Sequence, residues 1–535
     1  MSSAAAVKIK GRDIAIAFFL CALFFLLGLA TLDNNCNWGD DFAAYMSDGI
    51  AMAQGRYQEQ LELNVTLRSG KLLGEENEHV HAWGFPLVHA LVYRLAGFDT
   101  RDFSGLWLYK LPSLAAFSLM AGICYLFLRR RLGPGISVFL CLALCAHTEF
   151  FYAIRNLYND VFFMALSLCS FYLVEKYLEQ EDKKRRILWG LVLGVVLWYS
   201  CSVRLNGIVT VVCVLLAQLV WLIRDRKKPS LPDFFPVGVF AALYLAVNRL
   251  FMPIPTSTSS AGDAGLDTLI RGLAYYLDQL LGWARHFVEI CLDIPIKLAA
   301  TFFYSVLDSE KLCALVSRLE SFAYEELYTV LAVLFLLCAL VGMLRRGLRS
   351  DPHIVFFIFV SFVGTAALNL GQELRYLYVL LPHLLMYAAL GIKDVLSFMA
   401  GKRSPGRASS LLSGALCALL CIFALVPAVK SGAENISNNE QENLTAYSDA
   451  AIEVYNFIQD NSPEDGTIAF FKPRALYLNT GRVSLLPEEG GFSVADADYY
   501  LHYIPMEASF IPEGQEDDYM PIFENYEFIL YERLK

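Results

Sequence analysis

Apolar residues come in long unbroken runs along this chain. Each run is roughly 20 residues, long enough to cross about 30 Å of hydrocarbon as a helix. We read eleven of them, near 13–31, 107–127, 134–152, 160–178, 187–203, 206–223, 234–252, 325–344, 353–371, 376–396 and 409–429. Two longer connections interrupt the series, 32–106 and 253–324. Within the second, residues 267–307 are amphipathic with scattered charges, a pattern suited to the membrane interface or to a pair of short dipping helices. The expected total is therefore about eleven to thirteen transmembrane helices. After residue 430 the pattern changes. "AYSDAAIEVYNFIQDNSP" has apolar residues at helical spacing and a proline stop. "GTIAFF", "RVSLL", "DYYLHYI" and "YEFILYE" read as short strands. The fold class is thus a polytopic α-helical membrane protein, 1–430, with a small C-terminal α/β domain, 431–535.

Charge orients the spans. Basic clusters fall at Lys8–Arg12, Arg129–Arg131, Lys183–Arg186, Arg224–Lys228, Arg345–Arg349 and Lys402–Arg407. All lie on one side if the spans alternate, which makes that side cytoplasmic. The N-terminus is then cytoplasmic, and the C-terminal domain is extracytoplasmic with the 32–106 loop. Composition agrees: 56% of residues are hydrophobic and 18% charged. The net charge of −10 argues against nucleic acid as a partner. The first run lacks a small-x-small cleavage site and reads as a retained helix. Most of the thirteen cysteines lie inside apolar runs and act as small hydrophobes, with no metal-type spacing. Asn435 and Asn443 match glycosylation acceptor patterns, which matter only in a eukaryotic lumen.

Candidate chemistry gathers at the external ends of the spans. Asp40 and Asp41 follow the first span, and His79 and His81 precede "AWGFPLVHALVYRLAGFD". Arg155 and Asp160 flank one turn, Arg204 stands beside Asn206 and Gly207, and Glu373 and Arg375 flank another turn. Charges at that depth are costly unless paired or lining a wet cavity. Arginine suits a phosphate through its planar fork of donors, and a carboxylate can accept a proton. Each residue also has a plainer reading. Asp41 and Asp160 can be helix N-caps. The arginines can snorkel to headgroups. Glu373 can hold Arg375 as a structural ion pair, and Lys472 and Arg474 can face solvent.

The order of these elements resembles the GT-C glycosyltransferases of the protein O-mannosyltransferase and lipid A aminoarabinose transferase type. "GDDFAAYMSDGIAMAQGRY" resembles the family's first-loop element, an acidic pair followed by a tyrosine and a small-residue helix. "HAWGFPLVHALVYRLAGFD" keeps the spacing of its proline element, with Ala82 and Trp83 where prolines are usual and Pro86 retained. "RNLYNDVFFMALSL", "LGVVLWYSCSVRLNGIVTV" and "GQELRYLYVLLPHLLMYAALG" resemble later family helices in order. The tail, with "DNSPEDGTIAFFKPRALYLNTGRVSLLP", resembles the small domain that ends many bacterial members.

The resemblance implies a GT-C-like architecture in a bacterial inner (plasma) membrane. It implies transfer of a sugar from a polyprenyl-phosphate carrier to a hydroxyl acceptor (glycan, lipid or protein) on the extracytoplasmic face. Asp41, four residues before Tyr45, would be the base of a single inverting displacement, with Asp40 beside it and Asp160 as the second acid. His81, Arg155, Arg204 and Arg375 would face the carrier phosphate, supported by Tyr45 and Glu373. A Mg²⁺ or Mn²⁺ ion on Asp40 or Asp41 together with Asp160 is compatible, since hard cations take carboxylates. The rivals are a secondary transporter and a membrane-anchored envelope assembly or binding protein. Charges at span ends and the lack of two related halves count against the transporter.

Overall fold

The computed structural model describes residues 8–39, 41–69, 82–204, 206–224, 231–251, 294–303, 324–367, 374–399, 414–415, 445–487, 494–506, 511 and 515–534. In chain order the first helices are α1 (Gly11–Leu29), α2 (Asp41–Gln54), α3 (Tyr57–Ser69), α4 (Gly84–Ala96) and α5 (Leu106–Arg129). Then come α6 (Pro134–Cys145), α7 (Thr148–Arg155), α8 (Asp160–Leu178), α9 (Lys183–Val203), α10 (Gly207–Arg224) and α11 (Phe235–Leu243). Two further long helices, Tyr324–Gly342 and Leu381–Met399, pack against each other, and Pro352–Ala367 lies between them in sequence.

Among the described residues seven helices are long and apolar enough to cross a membrane, and the pair α6–α7, bent by 49°, makes an eighth. The expected eleven to thirteen meet this lower number for identifiable reasons. Three of the expected runs fold as shorter apolar helices or carry a break. Phe235–Val247 runs into a π-helical stretch, Pro352–Val363 is short, and α6–α7 bends at Ala146–His147. The run at 409–429 lies outside the described residues, apart from Gly414 and Ala415, as does most of 267–307. The chain is a multi-pass helical membrane protein with a small C-terminal sheet domain.

The apolar runs fold as helices because in hydrocarbon each backbone group must bond within its own segment. Their outward faces stay apolar: Phe18, Phe19 and Leu26 of α1 and Ile208, Leu219 and Ile223 of α10 are exposed. The inward faces form a core around Phe117, Tyr125, Phe171 and Tyr387.

The C-terminal domain is a five-stranded sheet in the order β2-β1-β3-β5-β4. Its strands are β1 (Thr467–Ala469), β2 (Val483–Leu485), β3 (Tyr499–Tyr503), β4 (Tyr519–Glu524) and β5 (Phe528–Arg533). β1 pairs in parallel with β2 and β3; β5 pairs antiparallel with β3 and β4. The helix Asp449–Asn461 starts where the sequence places it, with the Ser448 hydroxyl accepting from the Ala451 amide at 3.1 Å. β4 carries Pro521 beside a register irregularity and sits at the edge, where a missing donor costs least.

This sheet shares one apolar core with the first-loop helices. Cys36, Phe42, Phe103 and Tyr109 join Tyr447, Tyr455, Phe470 and Phe528 in a single buried cluster. The Ala446 amide donates to the Cys36 carbonyl at 3.0 Å.

Candidate active site

α2 opens on Asp41, so the carboxylate stands at the positive end of the helix dipole. Phe42 through Gly49 are all buried. Gly49 lets α4 approach closely, since a Cβ there would meet Pro86 O at 2.8 Å and His89 Cβ at 2.7 Å. α8 likewise opens on Asp160. Arg204 follows α9 in extended backbone (φ −148°), which turns its side chain out of the helix and back toward α8.

The structure joins these residues in two acid–arginine pairs. Arg204 Nη1 donates to Asp160 Oδ1, with Asp160 4% and Arg204 13% exposed. Arg375 Nη2 donates to Asp41 Oδ2 at 3.3 Å, and both side chains are more open. One ring ties the pairs together. The Arg204 guanidinium lies 4.5 Å from the centre of the Tyr376 ring, and that of Arg375 lies 5.4 Å from it. Arg375 also stacks on Tyr158 at 4.6 Å. Tyr45 is buried beside them, packed edge-on against Phe85 at 5.1 Å. Burial pushes its phenol pKa up, and Asp41, Arg204, Asp160 and Arg375 all act on it electrostatically. Tyr45 therefore marks a point within reach of all four charges.

Arg155 stands apart from this group. Its Nε and Nη2 donate to Asp33 Oδ2 at 3.1 and 2.6 Å. Lys110, fully buried, donates to Asp33 Oδ1 at 2.6 Å and to the Asn35 carbonyl. Burial alone would raise the Asp33 pKa, but Lys110 and Arg155 outweigh it and hold the carboxyl below its ordinary value. This cluster braces the loop into α2: the Asn37 amide donates to Asn156 Oδ1 at 2.7 Å, and the Asn37 side chain donates to Tyr158. Sequence reasoning missed Asp33, Lys110, Tyr158 and Tyr376. A lysine inside an apolar run was the available signal for Lys110. The aromatic pair shows no such signal, because tyrosines are common at span ends.

Asp40, His79, His81 and Glu373 lie outside the described residues. Arg474 is buried in the helix Pro473–Thr480, while Lys472 lies against the Phe471 ring at 5.9 Å, and neither joins the two acid–arginine pairs. Among the described residues no group of three or more metal-type side chains stands together, and Asp41 and Asp160 each face an arginine.

Comparisons with known proteins follow the same fold. Residues 76–250 match the family model described as dolichyl-phosphate-mannose-protein mannosyltransferase. No curated protein matches the sequence. Among solved structures, ArnT from Cupriavidus metallidurans in the apo state aligns with a TM-score of 0.53 at 11% identity, covering 97% of each chain. The Archaeoglobus fulgidus oligosaccharyltransferase with Zn and sulfate aligns with a TM-score of 0.56 at 11% identity, over 98% of this chain and 73% of that one. The archaeal oligosaccharyltransferase AglB from Archaeoglobus fulgidus, in complex with an inhibitory peptide and a dolichol-phosphate, gives 0.51 at 10% identity, over 93% and 70%. At such identities the likeness is one of fold.

Proposed function

We propose that this chain is a glycosyltransferase of the GT-C superfamily, a reading supported by the family match and the shared fold, and that it moves a sugar from a polyprenyl-phosphate carrier to a hydroxyl acceptor, with Asp41 as the base. The observation that carries this reading is the joining of two acid–arginine pairs around Tyr45 and Tyr376. The family match and the dolichol-phosphate bound by AglB support the carrier class.

The chemistry is one displacement. The acceptor oxygen forms a bond to the anomeric carbon as the bond from that carbon to the carrier phosphate breaks. The acceptor proton passes to Asp41, and the phosphate leaves as an anion. Backside attack inverts the anomeric centre, as in inverting glycosidases with the acceptor in water's place. The arginines stabilise the departing charge. Arg375 is the candidate phosphate ligand: it stands beside Asp41 at 3.3 Å, and its planar fork of donors suits a phosphate. Arg204, tightly held by Asp160, serves as a fixed positive wall. Arg155 acts at one remove, by bracing Asp33 and the loop into α2.

The loop and sheet domain then face the extracytoplasmic side of a bacterial inner membrane, with a cytoplasmic N-terminus. Residues 1–430 form the membrane domain and 431–535 the appended one. The test is Asp41→Asn assayed with a polyprenyl-phosphate-linked sugar. Loss of a positioned base predicts a fall in transfer of roughly 10²–10⁴-fold with carrier binding retained. Full activity with asparagine at both 40 and 41 overturns the assignment.

A further inference from the structure

A polar cavity lies away from the site above. It occupies about 390 Å³ between α2, α3, the end of α4 and the helix Pro473–Thr480 of the sheet domain. α2 supplies Ser47, Ile50, Ala51 and Gln54, a stripe at helical spacing on the side of α2 turned away from Asp41 and Tyr45. At about 1.5 Å per residue, Ser47 sits roughly 9 Å along the helix axis from Asp41. We propose that this cavity is a saccharide subsite that holds one or two neutral sugar units of the acceptor.

Its volume falls in the ordinary range for small-ligand pockets. The floor is polar. Ser47 is 6% exposed, and its hydroxyl has no hydrogen-bond partner among the described residues. A buried hydroxyl left that way costs free energy until a ligand or water meets it. Gln60, equally buried, donates to Asn64 Oδ1 at 3.0 Å, and Asn64 donates to Asp48 at 2.6 Å, so this wall is fixed in place.

Charge selects against an anion. Arg56, just before α3, and Glu59, in its first turn, stand three residues apart at the exposed mouth, and their opposite signs leave the lining near neutral. A phosphate gains little there. Sugar hydroxyls each donate and accept, and the amides of Gln54 and Gln60 and the hydroxyl of Ser47 do the same. Tyr93, Phe98 and Tyr477 add aromatic rings to the same wall, the partners that the apolar C–H faces of a pyranose need. Gln54 orients one of them, donating to the Tyr93 hydroxyl at 3.0 Å. That the bound sugar belongs to the acceptor rests on the transfer reading above; that the cavity binds sugar does not.

The experiment measures direct binding to the full chain in lipid nanodiscs, by calorimetry and saturation-transfer NMR. The probes are maltose, cellobiose, a mannobiose and diacetylchitobiose, with inorganic phosphate for comparison. At least one disaccharide is expected to bind. Tyr477→Ala, and separately Arg56→Ala at the solvent-exposed rim, should weaken it about tenfold, while Asp41→Asn leaves it unchanged. The proposal fails if no saccharide binds, if phosphate binds in their place, or if both rim variants bind as the parent does. Saccharide binding that persists while Asp41→Asn transfers sugar normally overturns the transfer reading alone. Absent binding with Asp41-dependent transfer overturns the subsite alone.

Discussion

At the level of single residues, the two arginines are not equivalent. Arg204 is enclosed, paired to a nearly buried Asp160 and laid on Tyr376. Lysine keeps the charge but loses the planar fork that can both stack and bond. Arg204→Lys should therefore cut transfer by about 10–100-fold with KM for the carrier raised, read from steady-state kinetics; unchanged kinetics would make Arg204 a bystander. Asp48 carries a different prediction. It is fully buried, and one of its oxygens has no partner among the described residues. Burial pushes its pKa up to about 7 from 3.8, against the bond from Asn64 and the charge of Arg474. The folded chain then keeps a proton that the unfolded chain has lost, so stability falls as pH rises from about 4 to about 7. Asp48→Asn removes the titration, and the difference in Tm between pH 5 and pH 8 should shrink. A parent protein that melts identically at both would show Asp48 to be ionised throughout. The acids at helix starts and the arginines at span ends were legible in the sequence, because charge beside an apolar run is rare. Which acid meets which arginine was not, since that depends on how α9 hands the chain to Arg204 and on a turn 334 residues from Asp41.

At the level of elements, the loop that delivers Asp41 is held from both sides. Asp33, Lys110 and Arg155 brace it against the bundle. Trp38, three residues before Asp41, enters an aromatic box of the sheet domain. Its ring centre lies 5.2 Å from Phe471, 5.4 Å from Tyr503, 5.8 Å from Phe470 and 6.0 Å from Phe528. Removing a packed tryptophan ring typically costs about 3–5 kcal/mol. Trp38→Ala is expected to lower Tm and loosen the sheet domain, seen as faster proteolysis between residues 430 and 535, while Trp38→Phe restores much of both. Undiminished protection in Trp38→Ala would mean that the two parts hold together without this ring. A second close contact joins two membrane helices. A Cβ on Gly391 would stand 1.8 Å from the Cys338 carbonyl oxygen, and one on Gly342 would stand 2.1 Å from that of Tyr387. Small residues let such backbones touch in lipid. Gly391→Val must push the helices Tyr324–Gly342 and Leu381–Met399 apart, and the purified variant should melt earlier or aggregate. The sequence showed the helices of this pair by their apolar length, but not their meeting. It showed four of the five strands by alternation. β4 escaped because Pro521 and a run of acids before it break the pattern.

At the level of the whole molecule, the chain's own directions separate two ends. α1 and α5 run from opposite ends, as do α8 and α9. Asp33, the start of α5, Asp160 and Arg204 therefore share one end with α2 and the sheet domain. The other end carries the basic clusters, and many of them are bonded to acids: Arg129 to Asp13, Arg131 to Asp351, Arg130 to Glu175, Arg186 to Asp233 and Arg346 to Asp394. These pairs tie helix ends together, yet they leave the lysine and arginine count that sets orientation intact, because acids weigh little in that rule. On the proposed reading the α2 end faces outward. A carrier loaded on the outer leaflet can reach Asp41 only if the α2 end faces outward, so sidedness and mechanism stand or fall together. Cysteines placed at two exposed turns test it, in a background where the thirteen native cysteines have been checked for silence. Glu464 lies in a sheet-domain turn and Arg185 at the basic end, and both are exposed. A membrane-impermeant maleimide on intact cells should label Glu464→Cys, and Arg185→Cys only after permeabilisation. The reverse pattern would put the acid–arginine pairs on the cytoplasmic side and require a carrier presented from within.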